Sequence, residues 1–185
     1  MPQDALPSRA QAPVAAIRAA VKDRATWLAV LYRQLCTALP AAEVERHARA
    51  AIYEYGRLKA AKDPPGMDAR LWVERHMAKG SGLVFDSEIE VREDGAVQRM
   101  RHCALVEAWR EIGFSTEQID LLCDIAMEGD RGRAAAHGLE LAIEQRIGRG
   151  DPCCTLRLRR RAADPGSPAA GTGHAGARPS GPLFP

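Results

Sequence analysis

The sequence predicts an α+β domain in which N-terminal helices lead into an antiparallel sheet of two hairpins with two helices inserted between them. Three observations carry this expectation. Apolar residues recur at helical spacing through the first half of the chain. The period then switches to the alternation of half-buried strands around residues 84–92 and again around 139–158. Each alternating stretch also holds a strong turn signal, Asp94-Gly95 in the first and "GRGDP" in the second.

The elements follow in order. Asp23 is a plausible N-cap for a first helix with Trp27, Leu28, Leu31 and Leu35 on one stripe, ended by "ALP" at Pro40. A second helix begins near Ala41, places Val44, Ala48, Ala51, Ile52 and Tyr55 on one face, and breaks at "KDPPGMD". A third covers "ARLWVERHMAK" and stops at Gly80. In the first hairpin Phe85, Ile89 and Val91 alternate with polar residues, and the return strand runs near 96–101. A helix over about 102–112 closes at Gly113. The next opens on a capping box, Ser115 with Gln118, and ends at Gly129. In the second hairpin Leu139, Leu141, Ile143 and Ile147 share one face and Glu140, Glu144 and Arg146 the other. On its return strand Cys154, Leu156 and Leu158 face inward, and Cys153, Thr155, Arg157 and Arg159 face away.

The boundaries fall where composition shifts. Residues 1–12 carry prolines without periodicity, and 162–185 are rich in Pro, Gly, Ala and Ser, so both are expected to be disordered tails around one domain spanning 13–161. The net charge of +2 gives no strong pull toward nucleic acid or an anionic membrane. Arg157 and Arg159 find their ordinary explanation in cross-strand pairing with Glu140 and Glu144, and no aromatic residues interleave with them. With no secretory signal, no membrane-length apolar run and an odd number of cysteines, 5, the sequence predicts reduced thiols in the cytoplasm.

Chemistry-bearing residues gather around the cysteines. Cys103 and Glu107 lie one helical turn apart, and His102 at the helix start could lower the thiol pKa, a pattern suited to a nucleophile or an acid–base cluster. Cys123 shares a stripe with Ile119, Leu122 and Ala126, flanked by Asp120 and Asp124. The competing reading for both thiols is a small core residue, since unpaired cysteine is among the most buried residue types. Cys103, Cys123 and Cys154 with His102 or His76 would be the components of a metal site, but no C-x-x-C pair announces one, and no metal or cofactor is expected. Adjacent Cys153 and Cys154 point to opposite strand faces and do not form one site. The chain carries no P-loop, dinucleotide-binding glycine fingerprint, H-E-x-x-H or G-x-S-x-G.

Four segments in order, "AIYEYGRLKA", "HCALVEAWREIGF", "LLCDIAMEGD" and "IGRGDPCCTLRL", resemble the L-2-amino-thiazoline-4-carboxylic acid hydrolase family over roughly residues 45–160. The likeness matches Cys103, Cys123, Asp124 and Cys154, with Cys153 at a variable position. Thr155 and Leu156 stand where the family commonly has an acidic residue and an aromatic, and Ala126 where a second acid is often seen. The resemblance implies hydrolytic opening of the L-2-amino-thiazoline-4-carboxylate ring to N-carbamoyl-L-cysteine, or action on a related cyclic amidine. It implies Glu107 or Asp124 as general base, Cys103 or His102 as acid, Cys123 in the catalytic cluster, and Arg101 with Cys154 toward the substrate. The expected partner is a small-molecule substrate, with a homo-oligomer left open.

Two readings compete with this one. The helical half and glycine-cysteine hairpin also look like small-molecule-binding domains related to 4-vinyl reductases, which would make the protein a non-catalytic module. A zinc-stabilised interaction domain is the third reading. An enzyme calls for a carboxylate and a thiol converging in a reachable cleft. A binding module calls for an apolar pocket with buried cysteines.

Overall fold

The computed structural model describes residues 11–78 and 82–161. Helix α1 spans Gln11–Ala38, α2 Ala41–Ala60, α3 Ala69–His76 and the single turn α4 Gly82–Val84. Strands β1 (Ser87–Arg92) and β2 (Gly95–Met100) form the first hairpin. Helices α5 (Ala104–Glu111), α6 (Thr116–Ala126) and α7 (Glu128–Ala135) follow, and β3 (Leu139–Gln145) and β4 (Cys154–Arg160) form the second hairpin. The two hairpins join through antiparallel pairing of β2 with β4, giving one four-stranded sheet ordered β1-β2-β4-β3. The α+β architecture is as the sequence predicts, helices first. Both tails fall outside the described residues, as does Gly80, the expected stop of α3, except that α1 already includes residues 11 and 12.

Helix α1 starts well before the expected N-cap, so Asp23 lies inside it. Pro13 is no obstacle, because its missing N–H falls in the first turn, where it would have no intrahelical partner. The face of α1 that packs is also not the apolar stripe. Ala25 and Ala29 are buried, whereas Trp27 is 68% exposed and Leu31 and Leu35 lie on the outside. Alanine lets the backbone of α1 approach α5 closely enough for the indole Nε1 of Trp109 to donate to the Ala25 carbonyl at 2.8 Å.

Gly129 does not end α6. The chain steps into α7, whose glycines serve a helix crossing: a Cβ on Gly56 of α2 would run into the carbonyl of Gly129, and one on Gly132 into the carbonyl of Tyr53. The composition that reads as a stop is the requirement for two backbones to touch. The crossing is pinned by a buried ion pair, Arg133 donating to both oxygens of Asp63 at 2.6 and 2.8 Å, with His137 Nε2 at 3.3 Å from the same carboxylate. The Arg133 guanidinium also stacks over Trp72 at 5.0 Å.

Other local signals hold. Ser115 Oγ accepts from the Gln118 amide at 3.3 Å and Gln118 Oε1 from the Ser115 amide at 2.9 Å, completing the capping box. Asp68 caps α3 through the Leu71 amide at 2.7 Å. Helix α5 begins after Cys103, which stands at its N-cap, and closes at Gly113 with a φ of +80°. The alternation expected of 139–147 breaks at a bulge between Ile143 and Gln145, so Ile147 leaves the strand and opens a 3₁₀ turn over Ile147–Arg149. On β4 Leu156 and Leu158 are fully buried, and Arg157 pairs with Glu144 at 2.6 Å as the cross-strand reading expects. Trp72, Val73, Leu139, Leu141, Leu156 and Leu158 build the core between α3 and the sheet; Ala25, Ala29, Val106, Trp109, Ile119 and Leu122 build a second beneath α1. Among the described residues no helix is long and apolar enough to cross a membrane.

Candidate functional site

Between these two cores lies a cavity of about 430 Å³, with walls from α1, α2, α3, α5, α6, α7 and the sheet. Its volume falls in the ~300–1,000 Å³ range of small-molecule sites. Phe85, Met100, Leu105, Trp109, Ile143 and Leu156 make it largely apolar. Three cysteines far apart in sequence meet on its walls, Cys103 at the start of α5, Cys123 on α6 and Cys154 opening β4. His102, His76, Asp130 and Arg146 are its main interior polar residues.

The thiols are held in their protonated form. Burial pushes Cys154 up to about 11, although its sulfur accepts a hydrogen bond from the Ile147 amide at 3.3 Å. Burial raises Cys123 further, with Cys103, Cys154 and Asp120 adding to the shift. The bare Cα of Gly148 packs against its sulfur, where any side chain would collide. Cys103 is likewise raised by burial; the Val106 and Leu105 amides oppose this electrostatically, although the sulfur makes no capping hydrogen bond.

His102 is placed differently. Its Nδ1 lies 3.4 Å from Glu107 Oε1, while its Nε2 is buried and has no hydrogen-bond partner among the described residues. Lys22 on α1 holds the other oxygen of Glu107 at 3.1 Å. Glu107 thus does not line the cavity but orients the imidazole that does. The remaining expected residues stand elsewhere. Asp124 lies outside the cavity and is claimed by three arginines, Arg49 and Arg131 at 2.7 Å and Arg146 at 2.6 Å. Burial alone would raise its pKa, but Arg131 and Arg49 outweigh it and hold the carboxyl below the usual range. Arg101 is on the surface, paired with Glu88 at 2.8 Å. Cys153 turns away to Gln145 Oε1 at 3.3 Å.

Sequence reasoning did not single out Asp130 or Arg146 as cavity residues. Asp130 sits on α7, the helix the sequence hid, and Arg146 lies just past the bulge that ends β3. His76, considered for a metal, lines the wall and contacts Gln98 Oε1 through Nδ1 at 2.8 Å; burial lowers its pKa. No three His, Cys, Asp or Glu side chains among the described residues are placed to hold one metal ion.

The model of the L-2-amino-thiazoline-4-carboxylic acid hydrolase family matches residues 9–158, most of the chain and every cysteine segment of the cavity. The chain belongs to this family. Family membership thus covers the helical half as well as the cysteine-bearing half, beginning before α1 and ending inside β4. No curated protein matches by sequence. Among solved structures, a trafficking protein particle complex subunit 3 from Naegleria fowleri, covalently bound to palmitic acid, aligns at a TM-score of 0.47 and 13% identity, covering 76% of this chain and 97% of that one.

Proposed function

We propose that the protein is a small-molecule hydrolase that works in the thiol-lined cavity and opens a cyclic amidine of the thiazoline type. The observation that carries this is the meeting of three protonated thiols with an oriented imidazole, His102, on the walls of one cavity. The Glu107 carboxylate beside Nδ1 favours the Nδ1–H tautomer, which leaves the buried Nε2 lone pair without a partner among the described residues and free to meet a substrate water. His102 then removes a proton from water as the water oxygen attacks the amidine carbon between nitrogen and sulfur. The resulting tetrahedral adduct collapses as its hydroxyl proton passes to the ring nitrogen, the C–S bond breaks, and the departing sulfur takes the proton held by the imidazolium. The water oxygen becomes the carbonyl of the carbamoyl product. Cys103 and Cys154, protonated at neutral pH, supply weak donors along the wall rather than ready nucleophiles.

The test is product formation from L-2-amino-thiazoline-4-carboxylate and from thiazolines with larger substituents, followed by chromatography. Replacing His102 by Gln should lower turnover by about 10²–10⁴-fold, the range for losing a general base. Wild-type protein inert toward every thiazoline, or H102Q as active as wild type, would sink the reading.

A second reading is supported by a specific observation. Burial keeps Cys103, Cys123 and Cys154 protonated, and Asp124 is neutralised by three arginines, the pattern expected of a binding module with inert cysteines. A thiazoline that raises the melting temperature but is recovered unchanged would select this reading.

A further inference from the structure

The distribution of charge around the cavity narrows what it accepts. Arg146 is the cation of the inner wall, and its guanidinium is consumed by Asp120 at 2.7 Å and Asp124 at 2.6 Å. Asp130 adds a negative charge to the lining. A carboxylate drawn fully into this space would therefore exchange water for apolar side chains with no free cation to receive it, which is strongly unfavourable. The compact substrate that gives the family its name would also leave much of a 430 Å³ space unfilled.

The outer edge is the reverse. Arg24 of α1 and Lys59 of α2 line the cavity beside exposed Trp27 and Tyr55, and neither cation has an ion-pair partner among the described residues. Lys59 lies over the Tyr55 ring, at 5.5 Å, and its charge is also felt by His76 on the cavity wall. In a chain whose arginines are so often ion-paired, two unpaired cations at the rim of an apolar chamber mark a place for an anion that stays near water.

We infer that the cavity takes an amphipathic anion, an extended apolar body lying among Phe85, Leu105, Trp109, Ile143 and Leu156 with its carboxylate held at the rim by Arg24 and Lys59. The inference rests on the reading of this cavity as the ligand site, and it assigns that site a longer and more apolar ligand than an aminothiazoline acid. The thiols and His102 then lie beside the ligand's body, so a reacting ring would be carried within the apolar part.

The test uses decanoate and decanol as probes, titrated calorimetrically into the full-length protein below the micellar concentration of decanoate and the solubility limit of decanol. They share an apolar body and differ in the head. Decanoate should bind about tenfold or more tightly than decanol, one charge-assisted contact's worth of discrimination. The double variant Arg24→Ala/Lys59→Ala, changed only at the rim, should bring the two within about twofold. Bound decanoate should also slow alkylation of Cys103 in the wild type, which binding elsewhere on the surface would not do. Equal binding of both probes, a preference that survives in the double variant, unprotected Cys103, or no binding of either overturns the inference. Failure of the hydrolase reading is separable: decanoate can bind as described while no thiazoline is opened, and a thiazoline can be opened with no competition from decanoate.

Discussion

The α2–α7 crossing and the cavity under α1 use opposite packing on neighbouring parts of one helical layer. At the crossing, glycines bring backbones into contact, and a buried Asp63–Arg133 pair fixes the spacing. At the cavity, large apolar side chains stand apart around an unfilled space, and α1 contributes alanines to its packed face while leaving Trp27 in solvent. Close packing is the norm for a protein interior, so a 430 Å³ space between two dense cores is a cost to stability that the rest of the fold must offset. The crossing supplies rigidity beside the hollow, and it holds Gly129 and Asp130 on the cavity wall.

The crossing should therefore be the part least tolerant of change. Asp63 and Arg133 are 0% and 1% exposed, so Asp63→Asn would leave a buried guanidinium without its counter-charge. The expected loss is about 3–5 kcal/mol in urea unfolding. A loss under about 1 kcal/mol would mean that the pair is replaceable by a neutral contact and that the crossing is not the rigid partner.

The cavity side should instead show itself in reactivity. With Cys154 pushed up to about 11, only roughly one molecule in a thousand carries its thiolate at pH 8. Iodoacetamide should alkylate Cys154 about a hundredfold more slowly than glutathione at that pH, with the rate climbing until the pH passes 11. Peptide mass spectrometry at several pH values reads this directly. A rate equal to that of glutathione would show a cavity wetter than the structure describes.

Gly132→Ala returns the comparison to packing. The new methyl group would meet the Tyr53 carbonyl, a backbone atom that cannot rotate away. We expect a cost of about 1–3 kcal/mol, or more if α7 lifts off α2. A neutral outcome would mean that the two helices separate freely.

The same contrast explains what the sequence could show. Both hairpins were legible because alternation and turn residues are local signals: Asp94-Gly95 and the apolar face of Cys154, Leu156 and Leu158 act within a few residues of themselves. The capping box at Ser115 was legible for the same reason. Helix α7 was not, because Gly129 and Gly132 are explained by α2, which lies far away in sequence. The candidate site was legible in part. Cys103, Cys123, Cys154 and His102 could be named, yet their meeting in one cavity depends on the sheet order and on no short-range pattern. Asp124 and Arg101 carried the right chemistry for a site, but tertiary partners, three arginines for one and Glu88 for the other, occupy them outside the cavity.

The smallest expected effect concerns the residue whose pattern misled most. Trp27 sits on the apolar stripe of α1, and periodicity places it in the core; in the structure it is 68% exposed at the cavity rim. Trp27→Ala should therefore change stability by no more than about 0.5 kcal/mol, because exposed side chains contribute little. Trp109, fully buried and donating to Ala25, should cost about 3–5 kcal/mol in the same substitution. Measuring both by urea unfolding compares two tryptophans on the boundary of one cavity, one in solvent and one in the core. Equal costs would show that Trp27 is covered in solution, by a second copy of the chain or by a closing of α1 over the rim. A concentration-dependent midpoint would identify the second copy, since association stabilises by mass action. A cost confined to Trp109 would establish that the exposed face of α1 is spared from packing and that the rim stays open to ligand.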